Sequence, residues 1–154
     1  MPTPNAVSRI TRTPIYYDPS YENAGSYQPS SMIQTIVGML GGRKPGITIN
    51  PNNTNDIRQT IKHEDVHSLL SALDLPSLNK ENPLYSRIAS LYENRYPGKD
   101  TNAEVPALST AGQSESYGIP APLSQQYNDY LKQQLFKLDP KLGKKYQQLS
   151  AVTQ

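Results

Sequence analysis

The run His63-Glu64-Asp65-Val66-His67 sets two imidazoles four positions apart, with a carboxylate directly after the first. On a helix, positions four apart share a face, so both imidazoles can be aimed at one ion while Glu64 reaches its edge. Neutral imidazole suits zinc, and a catalytic zinc site keeps a position open for water. Glu64 is then placed to take the proton of that water as it attacks a carbonyl, and to return it to a leaving amine. The motif uses both histidines of the chain, and there is no cysteine. Thiolate ligands, disulfides and a cysteine nucleophile are thereby excluded, and any further metal ligand has to be a carboxylate.

The elements that must position these groups are legible in outline. Ile57, Ile61, His67, Leu70 and Leu73 recur at steps near three and four, which predicts a helix over residues 56–73, with Thr54 or Asn55 as its N-cap and Asp56 in its first turn. Pro14-Ile15-Tyr16-Tyr17 and Gly46-Ile47-Thr48-Ile49 read as short strands, closed by Asp18-Pro19 and Asn50-Pro51. Apolar spacing over residues 31–40 fits a short helix stopped by Gly41-Gly42. Leu75-Pro76-Ser77 breaks the motif helix, and a second stripe runs over residues 83–95 to Tyr96-Pro97-Gly98. A helical piece near Asn102 would need Pro106 in its first turn or else stay loop, and residues 125–148 read as one or two helices interrupted at Asp139-Pro140. The expected fold class is α+β. An extended arm rich in Pro and Tyr, carrying one short strand, occupies residues 1–30, and one metal-binding domain occupies residues 31–154.

At its motif helix the chain resembles the zincin metallopeptidases, whose minimal core is a small sheet beside a helix with this His-Glu-x-x-His pattern. The direct match covers His63 to His67, and a weaker architectural likeness spans residues 12–108. The resemblance implies a zinc-dependent hydrolase of peptide bonds, with a peptide or protein as substrate.

Two histidines leave zinc short of a protein ligand, and the absence of a third histidine removes the zincin branch that uses three. Glu104, in Asn102-Ala103-Glu104-Val105-Pro106-Ala107, is the preferred third ligand because it resembles the glutamate branch, in which the ligand lies downstream in an Asn-Glu-x-x-Ala-like context. Here Ala103 precedes the glutamate and Pro106 enters the segment, so the likeness is partial. Glu93 is the main competitor, with Glu115 and Asp100 behind it, while Asp74 suits a supporting or helix-end role. Charge developing on a carbonyl oxygen calls for a donor besides the metal. Tyr117, beside Gly118, is the preferred residue for it, with Tyr127 and Arg87 as alternatives; most of the 11 tyrosines must have packing roles.

With 15 Lys and Arg against 13 Asp and Glu, a formal charge of +2 gives no electrostatic case for nucleic acid as a partner. No apolar stretch is long enough for a membrane span, and the opening residues lack the apolar centre of a signal peptide, so no ordinary export or membrane route is expected. A different class of function is also open. Extended arms such as residues 1–30 often lie across the protein's own core or a neighbouring subunit, which would suit a structural or assembly protein, such as a component of a phage particle, with a noncatalytic metal site.

Overall fold

The computed structural model describes residues 3–29 and 45–151. The helix expected over residues 31–40 lies outside them. The chain is α+β, as its sequence pattern implies, and its backbone divides into two compact units, Met1–Ser71 and Ala72–Gln154.

In the first unit, strands β1 (Ala6–Val7), β2 (Pro14–Tyr17), β3 (Gly25–Gln28) and β4 (Gly46–Ile49) form one sheet in the order β1-β2-β4-β3. β2 and β4, the two strands legible in the sequence, pair in parallel at its centre with Ile15 opposite Ile47. β1 joins β2, and β3 joins β4, both antiparallel. The first thirty residues therefore supply three strands where one was expected. Gly25-Ser26-Tyr27-Gln28 has little strand propensity of its own, and its extended form comes from the ladder that β4 offers. Ile15, Ile47 and Ile49 turn to one side and pack with Ala6, Tyr27 and Ile61.

The motif helix, α1 (Ile57–Leu70), lies against β3 and β4. Its N-cap is Asp56, whose backbone is extended and whose carboxylate accepts from the Gln59 N–H at 3.1 Å. The cap thus falls one or two residues beyond Thr54 and Asn55, where the sequence pattern puts it; Thr54 instead turns its hydroxyl to that of Thr60, 2.6 Å away. Gly25 permits the close seat of the helix. A Cβ there would stand 2.8 Å from Thr60 Cγ2, 3.0 Å from Ile49 Cδ1 and 3.3 Å from Glu64 Cγ, so any larger residue would force these side chains to shift.

The second unit is helical, with α2 (Leu75–Glu81), α3 (Tyr85–Arg95), α4 (Thr101–Ala111), a 3-10 turn at Glu115–Tyr117, α5 (Ala121–Leu138) and α6 (Pro140–Ala151). The motif helix ends earlier than its sequence pattern implies, at Leu70 with Ser71 as C-cap, and Leu75-Pro76-Ser77 does not break it but opens α2. Asp74 caps that helix, accepting from the Ser77 hydroxyl at 2.7 Å, with proline in the first turn, where its missing N–H costs nothing. The α5 to α6 break falls at Asp139-Pro140, as expected.

Pro106 departs from expectation. It sits inside α4 and neither bounds the helix nor confines itself to the first turn. A proline there leaves the carbonyl four residues back, that of Asn102, without its helical donor. The buried side chain of Asn79 supplies one: its Nδ2 donates to Asn102 O at 3.2 Å and to Asn102 Oδ1 at 3.0 Å. The Tyr127 hydroxyl in turn donates to Asn79 Oδ1 at 2.5 Å, and Asn82 Nδ2 donates to Tyr127 O at 3.2 Å. This relay joins α2, α4 and α5, and it supports the first turn of α4, which carries Glu104.

Replacing Asn79 with alanine strips the Asn102 carbonyl and the Tyr127 hydroxyl together, and chemical denaturation should show a loss of about 3 kcal/mol. In the Asn79→Ala background, Pro106→Ala restores a backbone donor and should recover about 1 kcal/mol. Simple additivity of the two substitutions would show that Asn79 does not stand in for the missing N–H.

Candidate functional site

In the first unit the helical period does what the spacing requires. The rings of His63 and His67 lie on one face of α1 with centroids 4.8 Å apart and planes at 71°, and both are half-buried. Their candidate ligand nitrogens fall within 4.8 Å of one another. Two neutral imidazoles on adjacent turns of a rigid helix form a donor pair suited to a borderline-soft divalent ion such as zinc, so the residues fit the metal their pattern implies. Glu64 comes directly after His63 on the helix and is buried, with its Cγ beside the α-carbon of Gly25.

The neighbouring positions explain how α1 is held. Asp65 is buried and accepts from the Ser8 hydroxyl at 2.6 Å and from the Thr11 hydroxyl. Thr11 also meets the Thr13 hydroxyl at 2.7 Å, and Thr13 meets Ser68 at 2.5 Å. Removal from water pushes the Asp65 carboxyl above its ordinary range, and the two hydroxyl donors act against that shift. The turn between β1 and β2, where Arg12 adopts φ +63°, is thus tied to the helix one residue from Glu64. Lys62 is buried too, and its Nζ has no hydrogen-bond partner among the described residues. Burial lowers its ammonium to about 8. Nothing in the sequence pattern marks Lys62 as an inward position.

In the second unit Glu104 stands in the first turn of α4, where the helix dipole favours a carboxylate, and it is half-buried. Its charge reaches two tyrosines. Tyr92 is raised to about 12, chiefly by burial and then by Glu104, Tyr117 and Tyr96. Tyr117 is raised by burial first, then by Tyr96 and Glu104. The three rings cluster, with centroids 5.2 Å apart for Tyr92 and Tyr96, 5.1 Å for Tyr96 and Tyr117, and 6.3 Å for Tyr92 and Tyr117. Tyr117, singled out in the sequence by its place after the ligand region, therefore shares an electrostatic neighbourhood with Glu104. Sequence reasoning misses its aromatic partners, although Tyr92 and Tyr96 stand four apart at a helix end and Tyr117 precedes a glycine.

The other candidates are placed elsewhere. Glu93 is exposed, and its charge acts on Tyr85, which burial in the first place raises to about 12. Asp100 caps α4, accepting from the Ala103 N–H at 3.3 Å. Asp74 caps α2, Glu115 is exposed on the 3-10 turn, and Arg87 is exposed on α3. Tyr127 is fully buried and engaged with Asn79, so it is a packing residue without access to a substrate.

Among the described residues no helix is long and apolar enough to cross a membrane. Comparisons with protein-family models, curated proteins and solved structures found no match to this chain.

A buried ammonium without a hydrogen-bond partner opposes folding. Lys62→Met keeps the aliphatic stem and removes the charge, and thermal and denaturant unfolding at neutral pH should show a gain of roughly 1 to 3 kcal/mol. A loss of stability would mean that Lys62 makes a favourable charge interaction in the folded protein.

Proposed function

We propose that this chain is a zinc-dependent hydrolase acting on peptide bonds, with His63, His67 and Glu104 as metal ligands and Glu64 as the catalytic base. The observation that carries the reading is the pair of imidazoles on adjacent turns of α1, with a buried glutamate beside the first. Glu104, the carboxylate preferred from its sequence context, is half-buried in the first turn of α4, where a carboxylate is held by the helix start. Two imidazoles and a carboxylate are a ligand set that suits zinc, and the cysteine-free sequence offers no softer one.

When bound, zinc supplies a Lewis acid that polarises a carbonyl and acidifies water. The chain's own groups divide the remaining work. His63 and His67 bind through neutral ring nitrogens, and their backbone is steadied by the Asp65 tether to the β1 to β2 turn. Glu64 accepts the proton of the attacking water and passes it to the departing amine. Tyr117, held neutral because burial and nearby negative charge resist its ionisation, remains a hydrogen-bond donor for oxygen charge developing on the substrate.

Elemental analysis of the purified protein after zinc repletion should find about one equivalent per chain. Glu104→Ala and His63→Ala should lose it, and Glu93→Ala and Glu64→Ala should retain it. Glu64→Ala should also lower peptide hydrolysis by roughly 10²- to 10⁴-fold. Failure of the repleted wild type to hold zinc would overturn the metal assignment. Zinc retained with no hydrolysis of any peptide in a mixed library would leave a noncatalytic metal site in a structural protein.

A further inference from the structure

Arg95 is the last residue of α3, one position before Tyr96, and its side chain is exposed. It runs across Gly118, the residue that ends the 3-10 turn after Tyr117. A Cβ added at Gly118 would stand 2.8 Å from Arg95 Nη1, 2.9 Å from Cδ and 3.3 Å from Cζ. The guanidinium thus lies against an α-carbon that only glycine leaves bare, and Gly118 also adopts φ +84°, which a side chain would resist. Ion pairing does not account for this placement. Among the described residues Lys132 pairs with Asp129 at 3.8 Å, and no carboxylate is paired with Arg95.

The chemistry around the guanidinium indicates what it is placed to meet. It is a planar fork of donors with no acceptor, and it matches the two oxygens of a carboxylate. Because the stem already rests on Gly118, less side-chain freedom is lost when a partner binds. The residues next in sequence to Arg95 and Gly118, Tyr96 and Tyr117, bring two half-buried rings together with centroids 5.1 Å apart, and such rings combine apolar faces with hydroxyl edges. A free carboxylate next to an apolar or aromatic side chain matches that combination, and both occur together at the C-terminus of a peptide.

We infer that Arg95, with Tyr96 and Tyr117, recognises the free C-terminal carboxylate of a short peptide whose last residue is apolar or aromatic. The consequence of that binding rests on the proposed hydrolase function, under which the chain acts near the C-terminal ends of peptides. Gly118 gains a role in recognition as well, since its lack of a side chain is what allows the guanidinium to lie across the turn.

Binding and metal content are to be measured on the same full-length samples. Isothermal titration would compare an N-acetylated tripeptide ending in phenylalanine with its C-terminal amide, against wild type, Arg95→Ala and Gly118→Ala. Wild type should prefer the free acid by about 5-fold or more, as a bidentate pair at a partly exposed site allows. Arg95→Ala should bind both forms equally, and Gly118→Ala, which displaces the guanidinium while keeping it, should reduce the preference. Circular dichroism would check that the variants fold. Equal binding of acid and amide by wild type, a preference that survives Arg95→Ala, or no binding of either peptide would overturn the inference. Zinc content separates the two ideas: acid-selective binding without zinc would retain the recognition site and reject the metal-dependent hydrolase, and zinc without acid selectivity would reject the recognition site and leave the metal assignment standing.

Discussion

A helix that turns His63 and His67 to one side has only its remaining faces for Lys62, Glu64 and Asp65, and the structure buries all three. That constraint governs the first unit. Buried charge is tolerated where it is hydrogen-bonded and opposes folding where it is not. The hydroxyls of Ser8 and Thr11 converge on Asp65, which explains why the strands that flank this turn are part of the sheet despite a proline-rich sequence. Lys62 receives no such partner among the described residues and remains a cost to folding in the same helix. Gly25 completes the arrangement from the opposite edge of the sheet by leaving room for the stem of Glu64.

The second unit answers a comparable problem with a different device. Pro106 would ordinarily end a helix, yet α4 continues because a side chain from α2 takes the place of a backbone donor. Asn79 has both its amide nitrogen and its carbonyl occupied by this role, through Asn102 and Tyr127. The helix start that bears Glu104 is thereby built into the core of its unit.

Around Glu104 the chemistry is tuned by aromatic side chains. Three tyrosines cluster at short centroid distances, and burial first, then the carboxylate among nearby groups, discourages Tyr92 and Tyr117 from ionising. The buried Tyr127 and Tyr146 are also tyrosines held neutral, yet their hydroxyls are spent on Asn79 and Asn128 inside the core. Tyr92 is buried as they are, whereas Tyr96 and Tyr117 are half-exposed, so residue type alone does not tell which tyrosines reach solvent.

Local periodicity was enough to determine that His63 and His67 share a helix face, that residues 14–17 and 46–49 are strands, and that the last helices part at Asp139-Pro140, because each depends on a few neighbouring residues. The absence of cysteine likewise excluded disulfides and thiolate chemistry without any structure. Tertiary structure alone decided the rest. The strands at residues 6–7 and 25–28 exist because partners offer them hydrogen bonds, and a helix passes through Pro106 because Asn79, 27 positions earlier, supplies a donor. Which tyrosines surround Glu104, and that Arg95 lies across Gly118, were also beyond local reading. These features depend on groups distant in sequence satisfying one another's hydrogen bonds and filling one another's space, and a local pattern carries no record of which distant group will arrive.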